Sequence, residues 1–220
     1  MSKKKSIRTI KIETPTMCEY SVSISTPKDR DKYIRSIERI VRSSMEYRDY
    51  ISFLKNHVDM DKCAFFNMIS SKEDKHVKVE IHHEPFTLYD IVNVVLQKFI
   101  DNGEPLNDLL IADEVLELHY ANLVGLIPLS KTVHKLIHNS TKVKIPLNMC
   151  YGNYDEFLKK YEDVSNIDDL YDKLEEKIIA SESITESSYE DITNEFTYVD
   201  VEGFEDPQKI EIEQENLMIA

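Results

Sequence analysis

Over residues 88–99 the apolar side chains Leu88, Ile91, Val92, Val95, Leu96 and Phe99 return every three or four positions, a spacing that an α-helix turns into one continuous buried stripe. Thr87 precedes the stripe as an N-cap, with Asp90 three residues on to complete a capping box, and Asp101-Asn102-Gly103 closes it. The same period runs through residues 29–56 (Tyr33, Ile34, Ile37, Val41, Ile51, Leu54), predicting one long helix or two shorter ones with Arg30, Arg35, Arg39, Arg42 and Arg48 between the apolar positions. Such an arginine face is more commonly solvated than bound to phosphate. Further helices are expected at about 106–121, on Leu109, Leu116 and Tyr120, and around Phe157–Tyr161 and Ile167–Ile178.

Strand signals are short and few. Residues 77–83 alternate cleanly, with Val77, Val79, Ile81 and His83 on one face and Lys78, Glu80 and His82 on the other, before Pro85 stops the run. Residues 123–129 form a brief apolar run. Ser130 then caps a helix carrying Val133, His134, Leu136, Ile137 and His138. Residues 7–26 alternate in two runs, as a hairpin would, and 142–147 reads as an edge strand ending at Pro146. The expected fold class is α+β, a mostly helical single domain. Its sections are 1–60 (strands and basic amphipathic helix), 61–180 (core) and 181–220 (tail).

The net charge of −14 argues against nucleic acid until its distribution is considered. Residues 161–220 hold 19 Asp/Glu against 3 Lys, leaving a nearly neutral body with six lysines and two acids over 131–160. From about residue 181 the chain is Ser/Thr/Glu-rich and without periodicity, which predicts a disordered acidic tail. No apolar run approaches the roughly 18 residues of a membrane span, and Met1-Ser-Lys-Lys-Lys-Ser6 has no apolar segment behind it. Cys18, Cys63 and Cys150 are odd in number and too scattered for a disulfide framework or a Cys-x-x-Cys knuckle. These features lead to an expectation of a soluble, cytoplasmic protein with no membrane partner.

Chemistry concentrates in histidine pairs. His82 and His83 end the first core strand, and His134 and His138, four apart on a helix, project from one face about 5–6 Å apart at Cβ. Two imidazoles so spaced can hold one cation. A divalent ion with an open position can stabilise a scissile phosphate, while a nearby neutral imidazole deprotonates the attacking water. His119, outside both pairs, reads as a core histidine. Glu80, Glu84, Asp113, Glu114 and Glu117 read as surface carboxylates, with one of them able to brace a histidine.

Two segments, Glu80-Ile81-His82-His83-Glu84-Pro85 and Leu126-Ile127-Pro128-Leu129-Ser130-Lys131-Thr132-Val133-His134-Lys135-Leu136-Ile137-His138, resemble the HNH (ββα-metal) endonuclease family. That resemblance implies a ββα-metal element at the centre of the domain and hydrolysis of phosphodiester bonds in DNA, with RNA as another substrate. It makes His83 the general base and His82, His134 and His138 the metal ligands. Mg²⁺ is the first expected ion, with Zn²⁺, Mn²⁺ or Ni²⁺ as alternatives. Lys131, Lys135, Lys142 and Lys144 stand where they would meet phosphate. Small members of that family are common in bacteriophages. Gly125, where the family often has Asn, and the acidic tail suggest an alternative: an inactive binding or regulatory module whose tail contacts a partner protein or its own basic patch. A third reading is a helical structural protein with a zinc site that only stabilises.

Overall fold

In a computed structural model the described residues are 24–66, 69–139 and 143–182. The expected N-terminal hairpin and the tail lie outside them. The described residues form one mostly helical domain with a single two-stranded sheet. Helices α1 (Pro27–Ser43) and α2 (Met45–His57) divide the 29–56 periodicity at Ser44. The extended backbone of Ser44 (φ −64°, ψ 155°) ends α1, and its hydroxyl accepts from Tyr47 N at 3.1 Å to start α2. Strand β1 (Val79–His83) leads into α3 (Leu88–Asp101), whose capping box forms as the sequence dictates: Asp90 N donates to Thr87 Oγ1 and Thr87 N donates to Asp90 Oδ2. Gly103 follows at φ +66°, a left-handed conformation that glycine adopts without strain.

Helix α4 spans Asp108–Tyr120, capped by the Asn107 side chain. Its buried stripe is Ile111, Ala112, Val115, Leu118 and His119. Of the expected positions only Leu116 is buried, while Leu109 and Tyr120 are 64% and 56% exposed. Those two sit on the wrong side of the turn relative to the stripe that meets α1 and α3. Strand β2 (Leu126–Ser130) then pairs antiparallel with β1, register Val79↔Ser130 through His83↔Leu126, and α5 (Lys131–Asn139) follows without a loop. The edge strand expected at 142–147 is absent among the described residues. Residues 143–146 are irregular and lead into a 3₁₀ turn at Leu147–Met149, because Pro146 has no N–H to offer a ladder. Helices α6 (Tyr154–Lys160) and α7 (Asp168–Glu182) complete the domain.

Burial falls into two clusters. The larger joins residues from α1, α2, α3, α4, α6 and α7, among them Ile34, Ile37, Leu54, Leu96, Leu118 and Phe157, all at most 1% exposed. The first two helices thus share one core with the elements that follow β1. The smaller cluster holds five buried residues, Cys63, Ile127, Leu129, Val133 and Ile145, and lies between β2, α5 and the loop around Cys63. That second cluster is the floor of the histidine site.

Candidate metal centre

Successive strand residues point to opposite faces, and this decides the fate of the two adjacent histidines. His82 faces α5, whereas His83 faces the large core and is 5% exposed. Because Ser130 both ends β2 and caps α5 (Val133 N to Ser130 Oγ, 3.3 Å), the helix begins at once and runs along the ribbon. Four helical residues rise about 6.0 Å and two strand residues about 6.6 Å, so two residues on β1 match two on α5 in step. His134 meets Glu80, with Nδ1 donating to Oε2 at 2.7 Å. His138 comes beside His82, ring centroids 5.2 Å apart.

The result is a three-imidazole cluster. His82, His134 and His138 each offer one nitrogen, all within 4.8 Å of one another, and the Nε2 atoms of His134 and His138 are 3.1 Å apart. Two nitrogens on one tetrahedral Zn²⁺ at 2.0–2.1 Å would lie about 3.3 Å apart, so the helical pair is already at chelating separation. The Glu80 bond places the His134 proton on Nδ1 and leaves the Nε2 lone pair for the cluster. Partial burial, then the neighbouring His134 and His82, hold His138 below the ordinary imidazole range, which favours the neutral ligand form.

Glu84 stands behind His82. Its carboxylate is 3% exposed, with Oε2 3.6 Å from His82 Nε2 and Oε1 paired with Lys177 Nζ at 2.6 Å. Burial raises its pKa, but the bonds from His82 and Lys177 outweigh this and hold it below the usual glutamate value. Glu84 is therefore a buried anion, where a surface carboxylate was expected. Lys177, on α7 and far along the chain, gives no sequence signal of this role. Glu80, on the same strand face as His82, does.

His83 is not part of this cluster. Its Nε2 lies 3.0 Å from Nε2 of His119, whose Nδ1 donates to Val115 O at 2.7 Å. That backbone bond fixes His119 Nε2 as the acceptor, so His83 Nε2 carries the proton. Tyr47 and Tyr50 stand edge-on to the His119 ring, at centroid distances of 5.4 and 5.7 Å. Burial, the neighbouring His119, Arg42 and His82 all depress His83, and burial brings His119 to about 4 despite the bond to Val115. The structure thus places His83, the general base that the resemblance implied, against His119 and apart from the cluster. The adjacent position on a strand turns His83 away from any water at the cluster.

Gly125 has a backbone reason of its own. A Cβ there would lie 2.0 Å from the carbonyl oxygen of Glu84, whose N donates to Gly125 O at 3.0 Å. No side chain fits, so the base-orienting asparagine of the resembled family has no place in this fold. Of the lysines expected to meet phosphate, Lys131 and Lys135 are exposed on α5 and Lys144 is exposed beyond it, while Lys142 lies outside the described residues. The more coherent basic surface is on α1, where Lys32, Arg35, Arg39 and Arg42 line one groove.

The fold and cluster describe a small helical domain with a trio of imidazoles, two partly buried and one exposed, beside a two-stranded ribbon. The chain belongs to the bacteriophage G278-like virion protein family, whose model matches residues 2–213. No curated protein and no solved structure matches it. The family assignment overturns the endonuclease expectation: the matched family covers nearly the whole chain and is one of virion proteins, whereas the resemblance to HNH enzymes rested on two short segments. It also corrects the cytoplasmic expectation, since a virion protein is a component of the phage particle. Among the described residues no helix is long and apolar enough to cross a membrane.

Proposed function

We propose that this virion protein binds one divalent transition-metal ion through His82, His134 and His138, and that the ion serves as a structural staple fixing α5 to the β1–β2 ribbon. The convergence of three imidazole nitrogens within 4.8 Å carries this reading. The donor set is all nitrogen, which suits Zn²⁺, Ni²⁺, Co²⁺ or Cu²⁺. It suits Mg²⁺, the ion first expected, poorly, because Mg²⁺ demands oxygen ligands in octahedral array. The strand–strand–helix arrangement holds the three ligands from two elements, so an ion there would tie together parts of the chain about fifty residues apart. Glu80 supports the reading as a carboxylate bracing His134.

A metal-free alternative uses the same atoms: a hydrogen-bond chain from Glu80 through His134 to His138. The two readings separate in a calorimetric titration of EDTA-treated full-length protein with Zn²⁺. The staple predicts one site per chain, lost in His134→Ala and in His138→Ala. Absence of saturable binding in folded wild type would leave the hydrogen-bond chain as the account.

A further inference from the structure

Helix α1 presents a mainly basic groove, and the chain carries an acidic segment. Lys32, Arg35, Arg39 and Arg42 are all exposed along one face of α1 and, with Glu38, line a groove of ≈ 470 Å³. Acids cancel part of this charge: Arg35 Nε pairs with Asp31 at 3.0 Å and Arg42 approaches Glu38 at 4.0 Å. Arg39 Nε donates to the Arg35 carbonyl at 3.2 Å. Four cations therefore face two carboxylates, an excess of positive charge in a protein of net −14. Beside the groove, the Arg35 guanidinium sits over the Tyr89 ring at 5.6 Å.

Segment 195–206, Glu-Phe-Thr-Tyr-Val-Asp-Val-Glu-Gly-Phe-Glu-Asp, has the complementary chemistry. It holds five carboxylates, three aromatic rings and no basic residue. Helix α7 ends at Glu182, leaving twelve intervening residues before Glu195. Thirteen residue steps reach about 43 Å when extended. A compact domain of about 160 residues is roughly 40 Å across, so the segment can reach much of its surface, and α7 and α1 both meet the start of α3, through Lys173–Asp90 and Arg35 over Tyr89.

We propose that segment 195–206 occupies the α1 groove of its own chain, its carboxylates on Arg35, Arg39 and Arg42, and so shields a surface that would otherwise take a polyanion. This is independent of the metal. Arginine forks and carboxylates pair bidentately, which makes the contact specific beyond bulk charge. Tethering supplies an effective concentration of about 1 mM, so a segment with an intrinsic dissociation constant of ~0.1 mM would weaken a competing ligand about tenfold.

The test is fluorescence anisotropy of a labelled twenty-nucleotide poly-dT probe in low salt, using full-length chains. One variant neutralises the segment (Glu195→Gln, Asp200→Asn, Glu202→Gln, Glu205→Gln, Asp206→Asn). A second removes the stripe (Arg35→Ala, Arg39→Ala, Arg42→Ala), and a third combines both. Circular dichroism melting confirms that each folds. The expected result is weak binding by wild type, about tenfold tighter binding by the segment variant, and loss of that gain in the combined variant. A gain that persists in the combined variant would mean only that net charge had changed, and would overturn the proposal. Equal binding by wild type and segment variant would also overturn it, and tight binding by both would make the groove an open nucleic-acid surface.

Discussion

The two buried clusters differ in what holds them. The large one gathers thirty buried residues, most of them from six helices and several with no exposed side chain at all, and encloses even a polar pair, His83 and His119, with its hydrogen bonds made internally. The small one has five buried residues, and its lid, α5, is a nine-residue helix with Val133 as its sole buried residue. Hydrophobic burial scales with area, and a helix this short is marginal by itself. The large cluster sustains its own architecture, whereas on the staple reading proposed above the small one would gain from an ion at its rim, where the three imidazoles converge.

The sharpest way to break this contrast is in the large core. Leu96→Ala should cost about 2–5 kcal/mol in urea denaturation, by the same amount with Zn²⁺ or with EDTA. A metal-dependent penalty would mean that the two regions are not separable.

Acid should act on the large core next most strongly. The folded-state pKa of His119 is near 4, below the unfolded imidazole value of about 6.5. The unfolded chain therefore takes up the proton first. The contribution is fully present above about pH 6.5, falls as pH drops, and is lost by about pH 4, a change of roughly 3 kcal/mol. Chemical denaturation in EDTA across that range should show the slope, and His119→Leu should reduce it, with buried His83 supplying the remainder. An unchanged slope would put the titrating group elsewhere.

At the rim, Glu80→Gln keeps an acceptor for His134 Nδ1 but removes its charge. It should weaken Zn²⁺ binding at least about tenfold while leaving metal-free stability nearly unchanged. The smallest expected effect is Thr87→Ala, which deletes the α3 capping box for about 1 kcal/mol and should leave metal affinity untouched.

The sequence makes these regions legible to different degrees. The α3 stripe, its capping box and the Gly103 stop follow from local spacing and appear in the structure residue for residue. The positions of His82, His134 and His138 also follow, since strand alternation and helical spacing are both local rules. What those rules cannot show is the partner on the other side. The alternation that sends His82 to α5 sends His83 away, yet the His119 that receives it is set by how α4 packs. The Glu84–Lys177 pair likewise depends on where α7 crosses the strand end. Leu109 and Tyr120 look like core residues in a list of apolar positions, but α4 presents its other side to α1 and α3. The HNH resemblance rests on two short segments, whereas the virion-protein family model matches residues 2–213, and Gly125 and His83 mark where the structure departs from the resembled pattern.

The most direct measurement is hydrogen–deuterium exchange of the full-length protein in EDTA and with Zn²⁺ at about a hundred times its dissociation constant. Occupancy at that level is worth about 2.7 kcal/mol, roughly a hundredfold slowing of any opening that breaks the site. The staple account predicts that slowing in α5 and the β1–β2 ribbon, little change in α3, and its loss in His134→Ala. Unaltered exchange in α5, or equal slowing in α3 and α5, would contradict it.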